Sequence, residues 1–279
     1  PDETLEHWLR VATDRRMGAL YEAFRRGWSI ERVREITSIT RWFLHKFERM
    51  AKMELEVVAA GKGGLLPAEI SADDMSRWKC AGFTDANIAD ALAGFHPEGY
   101  HRLPDERGEE AVMRCRHQHR IHPVYRMVDS CAAEFAAVTP YYYATYEPGA
   151  LVGIDHVPHA RRQSADGEAA RRLVVIGSGP IRIGQGIEFD YCSVHAAWAL
   201  QEAGFKSIMV NSNPETVSTD FDTSDRLYFE PLDEESVRDI MENETAATPG
   251  AEAATPPAVV QFGGQTAINL SQSIDRAGM

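Results

Sequence analysis

The stretch Leu173-Val-Val-Ile-Gly-Ser-Gly-Pro-Ile-Arg-Ile-Gly-Gln-Gly-Ile-Glu-Phe-Asp-Tyr191 constrains the fold more than any other. It opens with an apolar, β-branched run, the pattern of a strand buried on both faces of a parallel sheet. Four glycines follow, Gly177, Gly179, Gly184 and Gly186, before helical periodicity takes over near Tyr191. Strand, glycine loop and helix in that order make the first βα unit of a doubly wound sheet. In such sheets ligands bind beyond the carboxyl ends of the strands, where this loop lies. Glycines permit positive φ and close backbone approach. The helix that follows offers unpaired N–H groups and about half a positive charge.

The glycine spacing departs from known phosphate cradles. A dinucleotide fingerprint needs G-x-G-x-x-G, and here four residues separate Gly179 from Gly184. A P-loop needs a Lys-Ser/Thr pair after its last glycine, and none follows Gly186.

At 279 residues the chain has room for two domains. No run of about 18 apolar residues is present, so no membrane span is expected. The start, Pro1-Asp-Glu-Thr, has neither the basic nor the apolar region of a secretion signal, and it lacks an initiator Met. The expectation is an excised piece of a cytoplasmic protein. Cys80, Cys115, Cys131 and Cys192 are scattered without a C-x-x-C, which fits reduced thiols. The net charge is −13, and residues 172–279 hold 6 basic against 16 acidic side chains, a balance of −10. An acidic surface repels phosphate backbones, so nucleic-acid binding is disfavoured.

The first half reads as helices. Asp14 is a plausible N-cap for a helix carrying Leu20, Tyr21 and Phe24, with Gly27 at its C′ position. Ser29 caps a short helix over 30–36. A long helix spans about 41–60, with Trp42, Phe43, Phe47, Met50, Val57 and Val58 at three- and four-residue steps, and Gly61-Lys-Gly-Gly64 stops it. Helices follow at 67–81 and 85–93, the second capped by Thr84, and a charged helix occupies 105–120. Trp8, Trp28, Trp42 and Trp78 read as core or interface residues. His117, His119 and His122 lack a supporting carboxylate pair, so a solvated helix end is expected there and no metal site. Tyr141, Tyr142, Tyr143 and Tyr146 read as packing at a domain joint. The expected organisation is a helical domain over 1–146, a polar linker over 147–171 and an α/β domain over 172–279 with a flexible insertion at 242–257.

The α/β half alternates strands at 173–176, 207–211, 226–230 and 258–262 with helices at 191–203, 233–241 and 266–277. That alternation means a parallel, Rossmann-like sheet. Three loops, 177–190, 211–225 and 263–265, then meet at its carboxyl edge. With the adjoining Gln261, they bring Glu188, Asp190, Asn211, Asn213, Glu215, Asp220 and Gln265 to a carboxylate- and amide-rich mouth. No Ser/His or Cys/His couple accompanies them, so the mouth suits holding or guiding a small polar species and no catalytic residue is assigned.

Three motifs narrow the reading further: Gly177–Cys192, Asn213-Pro-Glu-Thr-Val-Ser-Thr-Asp through Glu230, and Val259-Val-Gln-Phe-Gly-Gly-Gln-Thr266. They closely resemble the opening of the second synthetase half of the large subunit of carbamoyl-phosphate synthase. Arg41-Trp-Phe-Leu44, His122-Pro-Val-Tyr-Arg-Met-Val-Asp129 and Cys131-Ala-Ala-Glu-Phe135 resemble the helical oligomerisation domain between that enzyme's halves. The implied fold is all-helical, then a Rossmann-like pre-ATP-grasp domain. The implied activity is an ATP-dependent ligase making carbamoyl phosphate from bicarbonate, glutamine-derived ammonia and two ATP for arginine and pyrimidine synthesis. ATP, Mg²⁺ or Mn²⁺ and K⁺ belong to an ATP-grasp domain beyond Met279, so none is expected on this piece, which should be inactive alone. Carried over by motif, Gly184, Gly186, Glu188, Asn213 and Glu215 line a passage for carbamate. Implied partners are the glutaminase small subunit, the remaining large-subunit domains and other large-subunit copies.

Two other readings remain open at this point. One is a stand-alone Rossmann-like nucleotide-binding protein. The other is a helix-turn-helix at 75–92, although its second helix, Asp85-Ala-Asn-Ile-Ala-Asp-Ala-Leu92, offers a DNA groove two acids and one Asn.

Overall fold

The computed structural model describes residues 2–93, 108–129, 134, 139–146, 171–180, 187–245 and 255–276. The chain divides into two units, Pro1–Ile121 and His122–Met279.

The first unit is helical: α1 Asp2–Arg10, α2 Arg16–Arg25, α3 Ile30–Thr37, α4 Arg41–Lys62, α5 Ala72–Cys80, α6 Asp85–Ala93 and α7 Gly108–Gln118. Local signals set most of the ends. Ser29 accepts the Arg32 N–H at 3.3 Å, and Thr84 accepts that of Asn87 at 3.0 Å. Gly27, at φ 77°, turns the chain after α2. Asp14, however, does not cap α2, which begins after Arg15 without a side-chain cap. The helix expected over 67–81 is a 3₁₀ turn, Pro67–Glu69, and then α5, because Ser71 starts a new helix by capping the Asp74 N–H at 3.1 Å. Gly61 does not stop α4 but lies inside it. A Cβ there would come within 2.7 Å of the Leu92 carbonyl oxygen, so glycine lets α4 approach α6 closely.

Helix α4 joins two apolar clusters. Leu44 and Ala51 pack with Leu5, Leu9, Leu20, Phe24 and Trp28. One half-length further on, Val57 packs with Ile70, Met75, Trp78, Ile88, Leu92 and Val112. Trp28 and Trp78 are thus core residues, whereas Trp8 and Trp42 lie at the surface. The end of α7 is solvated as expected at Gln118, His119 and Arg120, but not at Arg116. Arg116 is fully buried, with Nε 3.0 Å from Asp85 Oδ2, and Asp85 also meets Lys79 Nζ at 3.0 Å. His119 turns its Nε2 to the Ile70 carbonyl at 2.9 Å.

The second unit carries β1 Val124–Met127, β2 Tyr141–Thr145, β3 Arg172–Ile176, α8 Glu188–Glu202, β4 Lys206–Asn211, β5 Arg226–Phe229, α9 Glu234–Glu244, β6 Ala258–Val259 and α10 Gly264–Arg276. The strand order is β1-β2-β5-β4-β3-β6. Only β1 runs antiparallel, against β2. Alternation along the strands feeds two layers. Val174, Ile176, Ile208 and Val210 face α9 and α10 through Val237, Ile240, Met241, Ala267 and Leu270. Val175 and Met209 face the other way, onto Ala197 of α8. This is the expected helical-plus-α/β fold.

The domain limits differ from expectation. The tyrosine run is a strand of the α/β sheet, with Tyr141 and Tyr142 in parallel register with Leu227 and Tyr228. The boundary therefore falls at Ile121/His122, not after 146. Residues 147–170 of the expected linker lie outside the described residues. Arg171 already belongs to the sheet, its carbonyl accepting the Lys206 N–H at 2.8 Å. The expected insertion at 242–257 begins too early: 242–244 complete α9, while 246–254 lie outside the described residues. Glu244 is fully buried and accepts from Arg172 at 3.2 Å, from Arg226 and from the Tyr228 hydroxyl. Burial, then the Glu244 charge, pushes the Tyr228 phenol well above its ordinary range, so it stays protonated and donates.

Candidate functional site at the carboxyl edge of the sheet

The three polar loops follow β3, β4 and β6 at the carboxyl edge of the sheet. Asn211, the last residue of β4, ties them together. It is fully buried, and its Oδ1 accepts the Gly179 N–H at 2.9 Å and the Ser212 N–H at 2.8 Å. Its Nδ2 donates to Ser218 Oγ at 2.8 Å. One amide thus holds the glycine loop and the Asn-Pro-Glu-Thr loop in fixed register. Glycine is required beside it, since a Cβ on Gly177 would sit 2.7 Å from Asn211 Cγ. The third loop locks on in the same way: a Cβ on Gly263 would lie 2.4 Å from the Gly177 carbonyl oxygen.

The expected site residues divide into two kinds. Asn213 is nine-tenths buried and serves the loop itself. Its Oδ1 accepts the Glu215 N–H at 3.1 Å, and its carbonyl accepts Thr219 Oγ1 at 2.7 Å. Glu188, the first residue of α8, and Glu215, in the turn before the 3₁₀ segment Val217–Thr219, are exposed. Gly184 and Gly186 lie outside the described residues. Asp190 points inward from the first turn of α8, and its Oδ2 accepts the Ser218 N–H at 3.4 Å. Its Oδ1 is buried with no hydrogen-bond partner among the described residues.

One carboxylate at this edge escaped the sequence reading. Glu230 directly follows β5, and its Oε1 accepts the Ala144 N–H, extending the β2–β5 ladder with a side chain. Burial pushes its carboxyl up to about 7, and the charges of Asp233 and Asp239 act in the same direction. Asp239 accepts from the Tyr146 hydroxyl at 3.1 Å. The signal was its position at the carboxyl end of a parallel strand, which a sequence motif does not separate from loop filler.

Comparison with known proteins assigns both units. Residues 169–279 match the carbamoyl phosphate synthase preATP-grasp domain, and residues 1–119 match the carbamoyl-phosphate synthetase large chain, oligomerisation domain. The chain is 44% identical over 275 residues to the carbamoyl phosphate synthase large chain of Thermomicrobium roseum, covering 99% of this chain and 22% of that protein. The corresponding protein of Thermoanaerobacter pseudethanolicus is 44% identical over 266 residues, covering 95% of this chain and 21% of its own length. That of Vibrio cholerae is 41% identical over 275 residues, covering 99% and 22%. The chain belongs to the carbamoyl phosphate synthase large-chain family. It spans about 22% of the length of these curated relatives.

The two matched domains fall on the two structural units. The polar mouth just described is the carboxyl edge of the preATP-grasp domain, and the buried Asp85 cluster lies in the oligomerisation domain. Among the described residues no helix is long and apolar enough to cross a membrane.

Proposed function

We propose that this chain works as an inner segment of a carbamoyl phosphate synthase large subunit, an ATP-dependent carbon–nitrogen ligase feeding arginine and pyrimidine synthesis in the cytoplasm. In the whole enzyme, bicarbonate, glutamine-derived ammonia and two ATP yield carbamoyl phosphate. A glutaminase subunit supplies the ammonia, and the other large-subunit domains complete the assembly. The role of the carboxyl edge in this reading is to line the path by which carbamate reaches the second active site, through Gly184, Gly186, Glu188, Asn213 and Glu215.

The observation that carries this reading is the pairing of a rigid loop frame with outward carboxylates. Asn211 and Asn213 are buried and fully engaged in holding the loops, while Glu188 and Glu215 remain exposed on them. Carboxylates on a fixed frame accept N–H bonds from a small polar species as it passes. Among the described residues of the three loops there is no Lys or Arg to meet a phosphate, and Arg182 of the glycine loop lies outside the described residues. Phosphate recognition rests on such cations together with N–H donors. Following the family resemblance, we assign ATP, Mg²⁺ or Mn²⁺ and K⁺ to other parts of the large subunit, and no chemical step to this chain.

The helical unit supports self-association. Met17, Trp42, Phe43 and Met50 are exposed, with the Trp42 and Phe43 rings edge to face at 4.9 Å. Exposed aromatic groups of this kind mark interfaces between chains.

The passage reading is tested by Glu215→Ala in the full-length large subunit. Synthesis of carbamoyl phosphate should fall about tenfold or more, while bicarbonate-dependent ATP cleavage and ATP formation from carbamoyl phosphate and ADP each stay within about twofold. Parallel loss of all three activities would contradict it, because a passage residue touches only the transfer between sites.

A further inference from the structure

Helix α8 carries an unusual outer face. Tyr191, His195 and Trp198 stand at successive turns, with ring centroids 4.1 Å apart for the first pair and 5.2 Å for the second. Tyr191 is 62% and Trp198 43% exposed, and Ile187, one turn earlier, is 71% exposed. Val217, in the 3₁₀ turn that packs beside α8, is also half exposed. Another face of α8 already packs on the sheet through Ala197, and the ladder is no part of that core. These side chains leave on the order of 400 Å² of apolar surface open, about what the largest patch on an ordinary monomer reaches. Three rings in contact along one helix face, one pair tilted and the other edge to face, also lose little side-chain entropy when covered, which is the property of an interface anchor.

The surroundings restrict what can cover it. Glu188 and Glu202 bracket the ladder at the two ends of α8, and Asp220 and Asp222 follow Val217. Residues 172–279 carry a balance of −10. A second copy of the same face would bring like charges together around the rings, which is unfavourable. A face with an apolar centre and a basic rim would match both the rings and the charge. The curated relatives are more than four times the length of this chain, so most of their folded surface lies outside it.

We propose that the Ile187–Tyr191–His195–Trp198 face of α8 is the docking surface for another folded domain of the same large subunit, one presenting an apolar centre with a basic rim. This rests on the reading of the chain as one segment of that subunit, but not on the passage or on the position of the ATP site. The docked face sets α8, and with it Glu188 at its amino end, at a fixed place relative to the neighbouring domain.

The test is hydroxyl-radical footprinting read by mass spectrometry, comparing the 279-residue chain with the full-length large subunit. Tyr191 and Trp198 should be oxidised readily in the 279-residue chain at every concentration and protected several-fold in the full-length subunit. Equal oxidation in both would overturn the proposal. Concentration-dependent protection in the 279-residue chain would overturn it too, by showing that a second copy is the occupant. The double variant Tyr191→Glu, Trp198→Glu separates docking from folding. It should lower the Tm of the full-length subunit and leave the Tm of the 279-residue chain unchanged. An equal fall in both would make the ladder a structural part of α8 and overturn the proposal. A chain that bound ATP by itself would defeat the passage reading while leaving these footprints as they are.

Discussion

The two edges of the α/β sheet are held by different chemistry. At the amino edge, Arg172 and Arg226 are the first residues of β3 and β5, and both reach the buried carboxylate of Glu244 on α9. At the carboxyl edge the described hydrogen bonds are of another kind. A neutral amide, Asn211, and closely approaching glycines lock the loops, and Glu188 and Glu215 are exposed there. The difference teaches why the mouth can stay acidic. The sheet is fixed by charge at the end away from the loops, while Glu188 and Glu215 stay exposed at the mouth.

Glu244→Ala should produce the largest effect. It leaves Arg172, Arg226 and the Tyr228 hydroxyl without their shared acceptor, and removing one partner of a buried ion pair costs about 3–5 kcal/mol. Chemical denaturation of the α/β unit should show this, with no change in the transfer step between active sites. A stability loss below about 1 kcal/mol would mean that the amino edge is not the lock.

The acidic pair beside β2 should appear in the pH dependence. The Glu230 carboxyl rises from 4.5 to about 7 on folding, so the folded state holds its proton more tightly than the unfolded state. Its contribution is present below pH 4.5 and lost as the pH rises to about 7. At about 1.4 kcal/mol per pKa unit the loss is at most about 3 kcal/mol. Glu230→Gln should flatten this slope in urea denaturation series between those two pH values. An unchanged slope would detach Glu230 from the effect.

Asn211→Ala should cost about 2 kcal/mol, because it strands the buried N–H of Gly179 and the part-buried N–H of Ser212. Unlike Glu244→Ala, it should also lower carbamoyl phosphate synthesis in the full-length enzyme. Loss of stability with unchanged synthesis would remove the contrast between the two edges.

Much of this was legible in the sequence because the governing interactions are short-range. Ser29, Thr84 and Asp233 each cap a helix through an N–H three residues away. The strand at 172–176 and its glycine loop follow from one continuous run. The missed features depend on partners distant in sequence. Arg116 looks like a solvated helix end until Asp85, 31 residues away, meets it in the core. Glu244 reads as part of an acidic insertion until Arg226 and Tyr228 surround it. The Tyr141–Thr145 strand is short, and only its pairing with β5, more than 80 residues on, shows that it belongs to the sheet. At the mouth, the sequence named Asn213 alongside Glu215, but only the hydrogen bonds separate the loop-holding amide from the exposed acid.

The central claim is that the carboxyl edge guides a small polar species and does not grip a nucleotide. Isothermal titration of the 279-residue chain with Mg·ATP, and separately with NAD, tests it most directly. The account predicts no binding heat for either ligand up to millimolar concentration. Micromolar binding of either one that is lost on Asn211→Ala would place a nucleotide site at this edge and contradict the account.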